Sequence, residues 1–557
     1  MTLKRLASLP GVPAILAAVS GVVFLFGSAQ APAEQMATPP YLSRFPNVNP
    51  QLTTQLPGDV DIAMKKSLES KKEFARVQRL FDLWSWQAFV TLNWPTNDHG
   101  QFAPKLGDTA FGPPHWTTWY ESTSIYLLNG ATPSACAKPG AAMMLSLTRD
   151  TSQPVVRGLQ PFQVASTFDK RHVRLLGNIS AVGERSPSTP AKEVEGAELD
   201  EKTQAFTAPL IDQNGNFVFY EIMIDPNEVS YICQNKLYNV NGQVAFSKGG
   251  TVSADLPRGD EGKDASGAWE TKFAWRILTA RDDASRFLTA KAIVPPSKGV
   301  CPDGTKPAAP QCDVSVGLVG MHIGHKSVSS PQWIWATFEQ VDNLSVDNVA
   351  HPKLAPSFFD SNCPVCVPNQ APAQAKDGTW ATSPKTQVAR AIPIPADKVA
   401  LNSEASAALH AANSPLQYYQ LIDTQWPTDP SAKPTPWNAG LPDAVENKPG
   451  GHPTPVYLTN VTMETYFQLG TLPACKQEEV PSNAPCPTVW ASAGQSASLA
   501  TDQTAIFGSE SCTGCHSSAG LFTSLDGKKG GKKSGQLTGD FSWLFTQKAN
   551  VDPSQSK

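Results

Sequence analysis

Charge is scarce in this sequence. Charged residues make up 17% of the 557 residues, and the formal net charge is only -4. Nucleic acids and anionic membrane surfaces attract proteins with a dense basic patch, which so weakly charged a chain does not supply. We therefore expect neither of them as a partner.

Several catalytic motifs are also missing. The chain has no G-x-S-x-G, no H-E-x-x-H and no G-x-x-x-x-G-K-[ST] segment. The chain therefore lacks the sequence signatures of α/β-hydrolases, zincins and P-loop nucleotide-binding proteins. After residue 26, no run reaches the roughly 18 apolar residues of a membrane helix. We therefore expect no stable membrane insertion once the N-terminal segment has been cleaved.

The N-terminal segment has the pattern of an export signal. Lys4 and Arg5 precede an apolar run at 12–26, and Ala29-Gln30-Ala31 supplies a cleavage site. A membrane anchor is the alternative, but a spanning helix needs roughly 20 apolar residues. The pattern predicts a signal peptide over 1–31 and a periplasmic or secreted protein.

The cysteine count agrees with export. Two of the ten cysteines belong to a motif considered below, and the remaining eight are an even number in an exported chain, which indicates disulfides. Their spacing suggests three local pairs, Cys301–Cys312, Cys363–Cys366 and Cys475–Cys486, and leaves Cys136 with Cys233. No partner C-x-x-C or nearby His completes a zinc site with Cys363-Pro-Val-Cys366, so we expect a plain disulfide there.

The central part of the chain predicts a β-rich body. Residues 32–57 are Pro-rich and extended in character, 58–430 carry the strand patterns, and 431–455 are a Pro-rich linker. Trp269, Thr271, Phe273, Trp275 and Ile277 alternate with Glu270, Lys272 and Arg276, and apolar residues recur at threes and fours in 59–93. The predicted class is α+β, a mainly antiparallel β body with helical decoration. Strands are predicted at 215–224, 269–277, 314–325, 332–342 and 416–426, and helices at 59–93 and 115–128.

The strongest chemical signal is Cys512-Thr-Gly-Cys515-His516. Two cysteines three positions apart match the two vinyl groups of a haem, with which they form thioethers. The following histidine supplies an axial nitrogen to the iron. The alternative is a disulfide beside an idle histidine. In this motif the last hundred or so residues resemble a monohaem cytochrome c domain.

The resemblance implies one covalently attached haem c, bound by Cys512, Cys515 and His516. It also implies a small α-helical domain over 456–557. Its crossed helix pair is expected at 456–469 and 540–549, the second capped by Asp540. Electron carriage with a redox partner protein is then the leading expectation.

The motif does not identify the sixth ligand of the iron. Cytochromes c of this kind usually take a methionine downstream of the motif, yet no Met or His follows His516. Upstream candidates are His322, His325 and Met463; a lysine, another molecule, water or no ligand are the alternatives. On a strand, Met321 and His325 share one face and His322 takes the other.

The identity of the sixth ligand decides the function. Two protein ligands suit electron transfer, whereas an open site suits small-ligand chemistry. The alternatives are therefore a haem c oxidoreductase, an oxygenase or peroxidase acting on a small-molecule substrate, and a haem-based gas or redox sensor. A second C-x-x-C-H is absent, which separates the chain from dihaem peroxidases and dihaem rubber oxygenases.

Overall fold

An eight-stranded sheet organises the protein in the computed structural model. Its strands are β1 (Tyr120–Glu121), β2 (Val173–Leu175), β3 (Phe219–Ile224), β6 (Trp269–Ile277), β7 (Thr289–Val294), β8 (Cys312–His325), β9 (Ile334–Gln340) and β10 (Tyr419–Gln425), and β4 (Gly259–Asp260) with β5 (Ala265–Ser266) forms a separate pair. The strands of the sheet run in the order β1-β3-β6-β8-β7-β2, and β9 pairs with β8 and β10 with β9. All pairings in this sheet are antiparallel except β2 with β7.

The structure describes only part of the chain, all of it within one compact unit, Pro39–Lys557. The described residues are 53–137, 173–176, 208–249, 253–260, 263, 265–296, 299–307, 311–363, 366–375, 380–390, 393–427, 458–468, 512–516, 519–525 and 539–555. The predicted signal peptide, the linker 431–455 and the Cys475–Cys486 pair lie outside them, as do residues 32–52.

The mixed α+β class with a β-rich body is confirmed. The alternation in 269–277 corresponds to β6, and the two patterns at 314–325 and 332–342 form an antiparallel pair, β8 with β9. The α-helices of the described residues are α1 (Ile62–Ser70), α2 (Phe74–Leu92), α3 (Ser122–Ile125), α4 (Ser134–Ala137), α5 (Pro226–Gln234), α6 (Val240–Lys248), α7 (Ala396–Ala411), α8 (Cys512–His516) and α9 (Leu544–Gln547).

Helix α2 covers one face of the sheet. Its apolar side chains join the largest buried cluster, together with residues of β6, β8, β9 and β10. Trp84 stacks on Trp269 with ring centroids 5.4 Å apart, and Phe81 stacks on Trp426 at 4.7 Å. Buried aromatic pairs of this kind contribute beyond the area that they bury. The tryptophans of this region are therefore core residues.

The opposite face is covered by C-terminal segments. Gln243 of α6 fixes two of them, because its Nε2 donates to the Phe545 carbonyl at 2.7 Å and its Oε1 accepts from the Phe522 amide at 2.9 Å. Tyr220 of β3 donates to the Thr462 carbonyl at 2.7 Å and so holds a third. The described parts of residues 458–555 thus pack directly on the β-rich body.

Three predicted helices differ from the structure. Residues 115–128 form a 3₁₀ turn at His115–Thr118, then β1 and α3. In the described part of 456–469 the only helical piece is a 3₁₀ turn, Thr465–Phe467. The terminal helix is reduced to α9, whose N-cap position is held by Trp543 and not by Asp540. Asp540 and Phe541 have positive φ, which a helix start excludes.

Three predicted disulfides are confirmed. Cys301–Cys312 and Cys363–Cys366 close short loops, and Cys136–Cys233 joins α4 to α5. Among the described residues, no helix combines the length and the apolar character needed to cross a bilayer.

Candidate functional site

The site lies on the sheet face that the C-terminal segments cover. Two rows of side chains cross β3, β6, β8 and β9 on that face, because residues two apart on a strand point the same way. One row is Ile222, Lys272, His322 and Thr337, and the next is Ile224, Glu270, Gly324 and Trp335. Polar and charged side chains therefore stand between apolar ones beneath α8.

Helix α8 is fixed from several sides. The Thr513 amide donates to Oε1 of Gln425, at the end of β10, over 2.7 Å. The sulfur of Cys512 lies 3.9 Å from the Leu458 carbonyl oxygen. The His516 ring packs on Trp335 with centroids 4.4 Å apart. These contacts set the motif against β9 and β10.

His516 has a defined tautomer. Its Nδ1 lies 2.7 Å from the carbonyl oxygen of Phe541. A carbonyl only accepts, so Nδ1 must carry the proton. Burial lowers the pKa of His516 to about 4, although the Phe541 carbonyl acts in the other direction. At neutral pH the ring is therefore neutral, and Nε2 presents a lone pair. This is the state that an iron-ligating histidine needs, and a carbonyl on the other nitrogen is its usual partner.

His322 lies on the sheet face that α8 covers. Its neighbours Lys272 and Glu464 act on the pKa of His516 in opposite directions, since Lys272 lowers it and Glu464 raises it. The Nε2 of His322 is 2.8 Å from Oε1 of Glu464, and its Nδ1 is 2.8 Å from Oγ1 of Thr337. Both ring nitrogens are thus hydrogen-bonded. To bind iron, His322 must give up one of these bonds.

The other two ligand candidates occupy different surroundings. His325 is buried on the opposite face, between Trp269 and Trp84, with ring centroids 3.8 and 5.5 Å away. Burial lowers its pKa to about 4. Met463 is fully buried in an apolar cluster that also contains Val319 and Phe358. The ring nitrogens of His325 face the carbonyls of Ala268 and Gly58, and Met463 lies in a different apolar cluster from Cys512. The sixth ligand stays an open prediction.

Sequence reasoning found the motif but not its supports. Trp335, Glu464 and the Phe541 carbonyl are brought to the site by folding, and a backbone carbonyl carries no signal in a sequence. Among the described residues, no group of three or more His, Cys, Asp or Glu side chains is placed to hold a metal ion. A haem iron needs only one or two protein ligands, and the motif supplies one.

Searches against protein-family models, curated proteins and solved structures find no match to this chain.

Proposed function

We propose that this chain is an exported c-type cytochrome with one haem, and that it carries electrons in the periplasm. Cys512 and Cys515 would hold the haem through thioethers, and His516 would bind its iron. The observation that carries the proposal is the 2.7 Å contact from His516 Nδ1 to the Phe541 carbonyl, which leaves Nε2 available for iron. When bound, the haem supplies the one-electron chemistry.

The residues of the chain then do three things. The Phe541 carbonyl orients the ring of His516. Trp335 packs on that ring and keeps water from one side of it. Lys272 on the facing sheet and Glu464 on the segment that covers it act in opposite directions on the pKa of His516, and so set the electrostatic environment of the site. We propose a redox partner protein as the electron donor or acceptor, since the chain has no second C-x-x-C-H motif.

One observation favours a second candidate, a haem c oxidoreductase with an open coordination position. In the described residues, His322 has both nitrogens hydrogen-bonded, His325 lies across the sheet and Met463 is in a core. The polar pair His322–Glu464 would then serve as an acid–base group beside a bound small molecule. No contact of the described residues specifically favours the third alternative, a haem-based gas or redox sensor.

Haem attachment is tested with two matched double variants. Cys512→Ala/Cys515→Ala should abolish haem staining on a denaturing gel. Cys363→Ala/Cys366→Ala removes a C-x-x-C of the same spacing, and should retain the stain. Retained stain in the first variant would sink the c-type proposal.

Carbon monoxide then separates the two candidates. For the electron carrier, the visible spectrum of the reduced protein should be low-spin and unchanged by carbon monoxide. A shift on adding the gas would instead support the oxidoreductase.

A further inference from the structure

The Phe541 carbonyl sits in an unusual turn. Asp540 and Phe541 have φ values of 51° and 68°, and the Ser542 amide donates to the Gly539 carbonyl at 2.9 Å. Two successive positive φ values with this bond are the pattern of a type I′ turn. Asp accepts such a conformation, but a bulky residue such as Phe rarely does. The surroundings must therefore hold the turn in place.

Gly539 lets the turn approach its neighbours. A Cβ at this position would lie 2.9 Å from the Gly520 carbonyl oxygen and 2.9 Å from that of Ser542. The Gly539 amide also donates to the Ala519 carbonyl at 2.8 Å. The turn is thus pinned to the segment that follows α8.

A buried ion pair holds the other side of the turn. Lys326, the residue after β8, is 1% exposed, and its Nζ pairs with Oδ2 of Asp540, which is itself 2% exposed. The same carboxylate oxygen accepts from the Leu256 amide at 2.6 Å. Lys326 Nζ also contacts Oδ1 of Asp255 at 2.7 Å. The aspartate is therefore tied to the end of the central strand.

We propose that Lys326 and Asp540 are positioning residues for the haem iron: their ion pair fixes the turn, the turn fixes the Phe541 carbonyl, and that carbonyl fixes His516. This inference rests on the proposed function. Neither residue touches the ring of His516 in the described contacts, so both act through the backbone of Phe541.

The chemical consequence concerns the reduction potential. A firm bond from Nδ1–H to a carbonyl makes the imidazole a stronger donor to iron. A stronger donor favours ferric over ferrous iron and lowers the potential. Loosening the turn weakens that bond, so the potential should rise.

The sign of the change in reduction potential separates a positioning role from a purely electrostatic effect of the removed charge. Lys326→Met removes a positive charge, which by Coulomb's law lowers the potential of a nearby iron. Asp540→Asn removes a negative charge, which raises it. Loss of positioning raises the potential in both variants. We expect a rise in both, of about tenfold in the ferric–ferrous equilibrium, or about 59 mV for one electron.

The experiment is a spectroelectrochemical titration of the full-length holoprotein at pH 8. This pH is above the pKa of Asp540, which burial raises to about 6 against the effect of Lys326. Asp540→Asn is the milder variant, because Asn tolerates positive φ and keeps an acceptor for the Leu256 amide. If Lys326→Met fails to fold, the double variant Lys326→Met/Asp540→Asn replaces it. This variant removes one charge of each sign, so a raised potential reports lost positioning and an unchanged potential would overturn the positioning role.

A second buried ion pair supplies the control. Lys398 is 2% exposed and pairs with Asp82 at 2.8 Å, on the helices of the other sheet face. Lys398→Met should destabilise the protein but leave the potential unchanged. Shifts of opposite sign in the two test variants, or unchanged potentials with full haem content, would overturn the positioning role. A wild-type protein without covalent haem would instead refute the proposed function.

Discussion

Glu464 and His322 are joined by a hydrogen bond of 2.8 Å although 142 residues separate them in the chain. The second carboxylate oxygen of Glu464 accepts from the Asn460 amide at 2.7 Å. One side chain therefore connects the central strand β8 to the segment 458–468 that covers it. This bond makes the covering segment part of the site, and it is open to direct test.

Glu464→Gln should destabilise the protein in a pH-dependent way. Burial acts to raise the pKa of Glu464, but His322 and Lys272 outweigh it, so the pKa lies below the usual value of 4.5. The ionised carboxylate thus adds stability above pH 4.5, and this is lost as the pH falls through the folded pKa. At pH 7 we expect a cost of about 1 to 3 kcal/mol. Urea unfolding from pH 7 to pH 3 should show the variant and the wild type converging, and a constant gap would contradict this.

If the proposed haem is bound, His322→Ala should leave its visible spectrum unchanged. Both ring nitrogens are hydrogen-bonded to protein groups, so we do not expect either to be an iron ligand. Visible spectra of the oxidised and reduced variant test this, with Met463→Leu as a second variant that preserves core volume. A change from low-spin to high-spin bands in either variant would identify that residue as the sixth ligand.

Gly320→Ala should weaken the packing of segment 458–468 on β8. A Cβ at Gly320 would lie 2.2 Å from Oγ1 of Thr462 and 3.0 Å from Oδ1 of Asn460. Such overpacking costs about 1 to 3 kcal/mol. Thr462→Ala removes the nearest obstacle, so the double variant should be more stable than the sum of the two single effects predicts. Strict additivity in thermal unfolding would count against the clash.

The Cys136–Cys233 disulfide should be the most stabilising of the three observed. It spans 97 residues, against 11 and 3 for the others, and longer closed loops lose more chain entropy on cross-linking. Cys136→Ser/Cys233→Ser should lower the free energy of unfolding by about 2 to 5 kcal/mol. Cys363→Ser/Cys366→Ser is the comparison, and an equal or larger loss there would reverse the expected order.

The sequence predicted a helix or strand correctly where the buried residues of that element recur at a regular spacing. The alternation of Trp269, Thr271 and Phe273 placed β6, and the period of α2 placed its buried stripe. Local pattern and final structure agree at these places because burial alone decides the conformation. The haem role of Cys512, Cys515 and His516 stays a prediction.

Sequence reasoning failed where side chains bond to distant backbone. Residues 456–469 carry helical spacing, yet Asn460 donates to the Phe338 carbonyl at 2.9 Å and so anchors an irregular segment on the sheet. Asp540 looked like a helix cap, but it pairs with Lys326, 214 residues earlier. Tertiary contacts of this kind override local preference, and no spacing in the sequence reveals them.

The hydrogen bonds of Gln243 also impose an order on synthesis. Its side chain binds the backbone of Phe522 and Phe545, which come 279 and 302 residues later. At typical elongation rates, about 15 to 60 s pass between the synthesis of Gln243 and the synthesis of Phe545. During that interval the face of the sheet beneath α8 has no cover, and its tryptophans are open to solvent. The nascent chain is thus most exposed to aggregation just before its last fifty residues appear, and a holdase chaperone that shields this face should raise the yield of folded protein.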